Sequence, residues 1–188
     1  MRPVAKIAAS LLAATMIPAA TLAATLGGVD YATQYDYREF YAATDNKPFR
    51  VVLVGNPFPS LPPEEVARVL LPQMQANKPP PNLAFTYERP AEPPRPDYRL
   101  MLVFNPALNL GADPVCEGVS RHAAGPAEGR VYVFAVYCRN DRAMSQVTGW
   151  TYAARPDDPG MGSLFKDAFA VLFNRSPAIR PQSGPIFR

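Results

Sequence analysis

The sequence predicts a single small α+β domain, with a mainly antiparallel sheet of five or six strands and two helices packed on one face. Short runs of β-branched and aromatic residues separated by turn residues fill the centre of the chain, and only two segments have the period of an amphipathic helix. Runs of strands with few helices are typical of α+β domains. The expected division is a signal peptide at 1–23, a Tyr-rich N-terminal segment at 24–45, the domain at 46–175 and a Pro-rich C-terminal tail at 176–188.

Five segments have the composition of strands, and a sixth is weaker. Charged Arg50, Glu88 and Arg99 alternate with apolar residues, so we expect the apolar positions to face the helices. Asn140-Asp141 tolerates positive φ and predicts a hairpin between the last two strands. The segments are Phe49–Gly55, Leu83–Arg89, Tyr98–Asn105, Arg130–Arg139 and Arg142–Ala153, with Phe40–Ala43 as the weaker sixth.

Two segments predict helices. Glu64–Asn77 places Val66, Val69, Leu70 and Met74 on one face. Pro72 lies inside this helix, and we expect it to kink or shorten the helix because proline removes a backbone hydrogen bond. Pro159–Phe173 carries a broad apolar stripe, with Asp158 as its N-cap and a proline at the next position.

The first residues have the layout of a cleavable export signal. Arg2 and Lys6 precede the uncharged run Ile7–Ile17, and small residues follow Pro18. The run of about 11 residues is shorter than the roughly 20 that span a bilayer, although an uncleaved anchor is the alternative. We expect a periplasmic or secreted chain that starts near Ala24 and keeps no membrane anchor after cleavage.

Charge and motifs exclude several functional classes. The chain has 19 Lys and Arg against 16 Asp and Glu, and two of the basic residues lie in the export signal. The mature charge is therefore near neutral, which argues against a nucleic-acid partner. The sequence has no Gly-rich phosphate loop, zinc-ligand spacing or Ser-centred elbow. We accordingly predict no metal and no cofactor.

Cys116 and Cys138 are the two cysteines of the chain, and in an exported protein they predict one disulfide. The alternative is a catalytic pair of Cys116 with His122, the single histidine. A catalytic thiolate needs a base that is held in place, and the Gly- and Ala-rich sequence around His122 offers no such support.

Two pairs of acidic residues are candidates for acid–base chemistry, Glu64/Glu65 and Asp157/Asp158. Both pairs stand at predicted helix starts, where carboxylates interact favourably with the helix dipole. The structural interpretation is therefore the simpler one for both, and no residue is predicted to be catalytic.

The candidate binding residues fall into three groups. Arg139 and Arg142 flank the hairpin turn, where they form either an anion site or a solvated turn. Trp150 belongs either to a ligand platform with Tyr132 and Tyr137 or to cross-strand pairs. Tyr37 and Tyr41 belong to an aromatic N-terminal cluster that packs back on the sheet or contacts another protein; this cluster is Tyr31, Tyr35, Tyr37, Phe40 and Tyr41.

The stretch Asn109–Gly129 is long for a loop without secondary structure, which predicts a functional or mobile segment. The Arg130–Ala153 hairpin is apolar on both faces. Either it lies centrally in the sheet or its second face contacts a partner.

Four parts of the chain together resemble a group of small uncharacterised bacterial exported proteins: Phe49–Phe58, Phe104–Pro106, Cys116 and Tyr137–Arg142. The resemblance covers most of the mature domain. It implies the exported compartment and the cysteine pair, and it implies no activity. The order of elements is also similar to that of small envelope accessory domains, some of which are lipoproteins, although this chain lacks their lipid-attachment cysteine.

Two functional hypotheses follow. The first is a non-enzymatic accessory or binding protein of the cell envelope that contacts a protein partner through the Tyr-rich start, the hairpin or the Asn109–Gly129 loop. The second is a periplasmic hydrolase that uses carboxylates or Cys116. The partner's identity and the oligomeric state are outside what the sequence predicts.

Overall fold

The computed structural model describes residues 24–89, 95–122 and 129–178. The expected export signal at 1–23 lies outside the described residues, as do 90–94, 123–128 and the end of the Pro-rich tail from 179. The strands are β1 Thr25–Tyr31, β2 Pro48–Val54, β3 Ala84–Thr86, β4 Tyr98–Phe104, β5 Arg130–Arg139 and β6 Arg142–Tyr152; the helices are α1 Tyr37–Thr44, α2 Pro63–Ala76, α3 Ala112–Cys116 and α4 Pro159–Leu172.

The α+β class is confirmed, but the sheet is mixed rather than mainly antiparallel. Its strand order is β1-β6-β5-β4-β2-β3. The pairs β1–β6, β6–β5 and β5–β4 are antiparallel, whereas β2 runs parallel to both β4 and β3. A tight turn forces two strands to be antiparallel, but the long connection through α2 allows β2 and β3 to run in the same direction.

The predicted hairpin is confirmed. Arg139 pairs with Arg142 across the turn, and Asn140 has a φ of 51°. Asparagine tolerates this left-handed conformation better than most residues, which explains its place in the turn. The strands are long, and together they form the centre of the sheet.

The alternation of the strands divides the buried residues into two clusters. The larger includes Phe49 and Val51 of β2, Leu100 and Leu102 of β4, and the buried apolar residues of α1, α2 and α4. The smaller contains Val115 and Cys116 of α3 with residues of β4 and β5 on the opposite phase: Met101, Val103, Phe134, Val136 and Cys138. Arg50 and Arg99 therefore share the phase of the smaller cluster, as their spacing predicted.

The expected strand at Phe40–Ala43 is wrong, because these residues belong to α1. The side chain of Asp36 caps this helix by accepting a hydrogen bond from the Arg38 N–H at 2.8 Å. Phe40 and Thr44 are one helical turn apart and are both buried. The burial of this face explains why an eight-residue segment rich in aromatic residues is helical.

Three further differences concern the number and the bounds of the elements. Two short helices, α1 and α3, join the two expected ones, and β1 adds an edge strand paired with β6. The expected strand at Leu83–Arg89 shortens to Ala84–Thr86. Pro72 does not shorten α2, which continues to Ala76. Proline removes a single helix hydrogen bond, and burial of Leu70 and Met74 on either side of it favours the helix.

Tyrosine burial predicts a loss of stability at alkaline pH. Burial and a 2.5 Å hydrogen bond from the Tyr98 hydroxyl to Glu39 raise the pKa of Tyr98 to about 12, and burial raises the pKa of Tyr35, Tyr87 and Tyr137 further. These groups stay protonated in the folded state while their unfolded pKa is about 10. The contribution of these buried phenols to the free energy of unfolding is therefore complete below pH 10, and it is lost as the pH rises toward 12.

We expect tyrosinate absorbance to appear in step with the loss of far-UV circular dichroism above pH 10. The conservative Tyr98→Phe variant should show a weaker dependence of unfolding free energy on pH in this range, because it has no phenol to ionise at this position. Complete ionisation of the nine tyrosines near pH 10 in a chain that stays folded would contradict the expectation.

Candidate functional site

A groove of about 820 Å³ lies between β2 and the first half of α2. One wall is strand β2 itself and the other is the helix, with Tyr87 between them and His122 at one end. The residues that line it include Val51, Leu53, Gly55, Asn56, Pro63, Glu64, Ala67, Tyr87 and His122.

The strand wall of the groove is an unpaired edge. Within the described residues, β3 pairs with β2 only at Pro48–Arg50. The Ala84 N–H donates to the Lys47 carbonyl at 3.1 Å, while the Phe85 N–H turns away from β2 and donates to Gln75 Oε1 at 2.8 Å. This two-residue alternation continues along β2.

The alternation directs the N–H and C=O of Leu53 away from β4 and into the groove. Phe49, which is in the same phase, faces β3, whereas Val52 and Val54 face β4. Among the described residues, no strand pairs with the N–H and C=O of Leu53, which lie next to the outward carbonyl of Val51.

The helix wall is held at a fixed distance from the strand. The Tyr87 hydroxyl donates to the Ala67 carbonyl of α2 at 2.9 Å. Val66 on the same helix is buried in the larger cluster, where it fixes the rotation of α2. Pro63 and Glu64 stand at the helix start beside the groove. A packed helix and a hydrogen-bonded tyrosine make this a preformed cleft.

The end of the groove is shaped by a turn after β2. Gly55 has a φ of +78°, and a Cβ at this position would lie 3.0 Å from His122 Cδ2 and 3.0 Å from the Phe104 carbonyl oxygen. Asn56 closes the turn by accepting from the Phe58 N–H at 2.9 Å and donating to the Leu61 carbonyl at 2.8 Å. Glycine is needed both for the backbone conformation and for the close approach of His122.

His122 is exposed and lies at the groove, not beside a thiol. Cys116 is joined to Cys138, with their Cα atoms 5.6 Å apart, so the expected disulfide is confirmed and the Cys116/His122 nucleophile is wrong. A sulfur in a disulfide has no ionisable thiol to serve as a nucleophile.

The aromatic platform is present in part. Trp150 and Tyr132 lie on neighbouring positions of β6 and β5, with ring centroids 6.3 Å apart, and Tyr152 lies 5.4 Å from Trp150. Tyr137 does not join them. It is in the opposite phase of β5 and is buried in the larger cluster, 5.3 Å from Phe40. Trp150 and Tyr132 thus form a cross-strand pair, which was the alternative to a ligand platform, and Tyr152 extends this pair along β6.

Arg139 and Arg142 do not form one anion site. Arg139 pairs with Glu39 of α1 at 3.1 Å, and Arg142 pairs with Asp113 of α3 at 3.8 Å. Each guanidinium thus has its own carboxylate on a different helix, which favours a structural role for both ion pairs.

The aromatic N-terminal cluster packs back on the domain. The Tyr35 hydroxyl donates to the Asn174 carbonyl at 2.9 Å, and the Tyr37 hydroxyl donates to the Pro80 carbonyl at 2.9 Å. The guanidinium of Arg175 lies 5.6 Å from the Tyr37 ring centre. Tyr41 stays 44% exposed beside Tyr37. Tyr37 and Tyr41 therefore do not form a common site with Trp150, and the structure does not bring the predicted binding residues together.

Three of the four candidate acidic residues have structural partners, and the fourth, Glu64, lines the groove. Asp158 stands at the N-cap of α4 as expected, but its carboxylate accepts hydrogen bonds from the N–H groups of Ala154 and Arg155 in the preceding turn and from none of the helix. Asp157 pairs with Arg155 at 2.9 Å, and this interaction lowers the Asp157 pKa. Glu65 lies 3.8 Å from Arg68. Among the described residues, no group of three or more His, Cys, Asp or Glu is placed to hold a metal ion.

Sequence reasoning missed the groove. Its recognition elements are backbone atoms of β2, and no side-chain motif marks an unpaired edge. The one available signal was the Pro-rich sequence on both sides of β3, at 79–81 and 90–96, since proline limits how far a strand can extend.

Searches against known families, curated proteins and solved structures find no match for this chain. In the part of the chain that the structure describes, none of the helices has the length and hydropathy needed to cross a bilayer.

Proposed function

We propose that this chain is an exported, non-enzymatic binding protein of the cell envelope that holds an extended segment of a partner protein by β-strand addition. The observation that carries the proposal is the unpaired edge of β2 along the groove opposite α2. The partner segment lies between the strand and the helix and extends the sheet by one strand.

The chemistry of the edge selects a polypeptide main chain. The Leu53 N–H and C=O and the Val51 carbonyl match the alternating donors and acceptors of an extended chain. Four residues, Val51–Val54, span about 13 Å at 3.3 Å per residue, which accommodates a partner segment of about four residues. The apolar surfaces of Ala67 and Tyr87 then contact alternate side chains of that segment.

The opposite edge of the sheet is a poorer docking strand. In β1 the pairing register with β6 shifts between Leu26 and Val29, and Gly27 and Gly28 lie at that irregularity. Bulges are a common means of blocking edge-to-edge association. The β2 edge has regular pairing with β4 over Arg50–Val54 and no bulge.

Export is supported by the Cys116–Cys138 disulfide, since disulfides persist mainly in oxidising compartments, and by the signal-type N-terminal sequence. The hydrolase hypothesis has less support. Its thiol is absent because Cys116 is oxidised, and Asp157 and Asp158 already serve the turn before α4.

Leu53→Pro tests the proposal, since it removes the N–H that faces the groove and leaves the hydrogen bonds between β2 and β4 in place. Leu53→Ala is the matched control, because it keeps the N–H and loses a comparable apolar side chain. The probe is the tightest peptide selected from a random linear dodecapeptide display library on the wild-type protein. We expect a loss of at least about tenfold in peptide affinity for Leu53→Pro, and only about threefold for Leu53→Ala.

Amide hydrogen exchange locates the peptide. Binding should slow exchange at Leu53 and leave the β1 amides unchanged. The proposal fails if the library yields no specific peptide, if both variants bind equally well, or if protection appears at β1 instead. Circular dichroism of both variants verifies that the sheet is intact before binding is compared.

A further inference from the structure

A second cavity of about 530 Å³ lies on the face of the sheet that carries the smaller cluster. It is formed where β1, β5 and β6 meet the segment after β4. Its walls are mainly hydrocarbon and aromatic. They include Leu108, Leu110, Tyr132, Phe134 and Trp150, with polar side chains from Thr25, Asn105 and Thr148. The volume falls in the range of cavities that bind small molecules.

Asn105 gives this cavity an unpaired hydrogen-bond donor. The residue lines the cavity, is only 7% exposed and has a φ of 49°. Its Oδ1 accepts from the Tyr132 N–H at 3.4 Å. Its Nδ2 is buried and has no hydrogen-bond partner in the described residues. Buried polar groups are normally paired, so a lone donor in an apolar wall indicates an absent acceptor.

The mouth of the cavity carries an apolar side chain that packs against nothing. Leu108 is fully exposed, whereas Pro106, Ala107 and Leu110 beside it in the wall are half-buried. The rings of Trp150 and Tyr132 form the floor of the cavity, and their planes are inclined at 40° to each other. A ligand that enters here meets hydrocarbon from Leu108 inward and one amide donor at Asn105.

We infer that this cavity binds an acyl chain whose carbonyl oxygen accepts a hydrogen bond from Asn105 Nδ2. The mostly apolar walls match a hydrocarbon chain, and the single unpaired donor matches one carbonyl oxygen. A saccharide fits less well, because its many hydroxyl groups need more polar partners than Asn105, Thr25 and Thr148 supply.

The site is independent of the β2–α2 groove. The cavity and the groove share no lining residue, and Leu53 is absent from the cavity wall. Trp150 is the only tryptophan of the chain, so its fluorescence reports on this cavity without interference from other tryptophans. Failure of peptide binding in the groove and failure of acyl binding in the cavity are therefore separate results.

Methyl octanoate, which combines a short chain with one ester carbonyl, is the probe. We expect a saturable change in Trp150 fluorescence in the wild-type protein and unchanged binding in Leu53→Pro. Asn105→Asp replaces Nδ2 by an oxygen and should weaken binding about tenfold. Leu108→Ser should weaken it by a smaller factor without affecting folding, because Leu108 is fully exposed in the unliganded protein.

Two sources of the acyl chain are distinguished by co-sedimentation with phosphatidylcholine vesicles. Sedimentation that both substitutions reduce indicates a chain drawn from a bilayer, and binding of methyl octanoate alone indicates a free ligand. The inference is overturned if methyl octanoate produces no saturable signal, if neither substitution weakens binding, or if cellobiose binds more tightly than methyl octanoate.

Discussion

Replacing Phe40 by alanine is expected to lower the free energy of unfolding by about 3–5 kcal/mol, the usual cost of truncating a fully buried phenylalanine. Phe40 has no exposed surface. Its ring stacks on Phe173 with centroids 4.3 Å apart, and it meets Tyr137 at 5.3 Å and Phe49 at 5.7 Å. Alanine keeps the helix propensity of α1 and leaves a cavity between the helix and the sheet.

Chemical denaturation followed by circular dichroism measures the loss. Tyr41→Ala, one residue along the same helix and 44% exposed, is the matched control, and we expect it to change stability by less than about 1 kcal/mol. A loss below about 1 kcal/mol for Phe40→Ala would show that the N-terminal segment is an appendage rather than part of the core.

The same argument includes β1 and α1 in the folded unit. Phe40 shares the larger cluster with α4, and β1 pairs with β6 along the sheet edge. We therefore expect a chain that starts after Asp45 to lose both an edge strand and a central aromatic side chain. Binding experiments that rely on deletion of residues 24–45 would then measure unfolding, which is why single substitutions are the better tests.

The elements that sequence predicted well are those whose own pattern determines them. β2, β4 and the β5–β6 hairpin alternate or run apolar between clear turn residues, and Asn140 marks the turn. α2 and α4 have long apolar stripes and prolines in their first turn. Local periodicity and turn chemistry are sufficient for such segments.

The elements that it missed depend on contacts with distant residues. β1 contains Gly27-Gly28, which weakens any strand pattern, and it exists because β6 offers an edge. α1 is too short to be stable alone and is helical because Phe40 packs on Phe173. The parallel direction of β2 and β4 follows from chain connections that residue alternation does not encode.

The candidate sites were less predictable than the fold. Trp150 with Tyr132 was anticipated because neighbouring aromatics on paired strands meet across the sheet. Tyr137 was misplaced because its phase in β5 directs it to the other cluster. The groove depends on where β3 stops, and the unpaired Nδ2 of Asn105 depends on the local environment, so neither has a residue signature.

Removing the disulfide by the double substitution Cys116→Ala/Cys138→Ala is expected to cost about 3 kcal/mol of stability, because the bond closes a loop across a sequence separation of 22 residues. It also joins α3 to β5 within the smaller cluster. Wild-type protein in excess reductant should approach the same denaturation midpoint as the double variant.

The fold around α3 decides whether the loss is local or global. Without the disulfide, Asp113 still ties the helix to the hairpin by accepting from the Ala143 N–H at 2.8 Å and pairing with Arg142 at 3.8 Å. Arg99 also donates to the Cys116 carbonyl. We therefore expect the reduced domain to remain folded at room temperature, with faster amide exchange in α3 than in β2.

Comparison with Asp113→Ala isolates the contribution of the covalent bond. This variant removes the polar ties and keeps the disulfide, so its loss of stability should be smaller than that of the double cysteine variant. If Asp113→Ala costs more than the cysteine substitutions, the polar ties rather than the disulfide hold α3.

Leu110, which lies just before α3, lines the cavity beside Trp150. Loss of the disulfide should then weaken methyl octanoate binding while peptide binding at Leu53 stays unchanged, because the groove is built from β2 and α2.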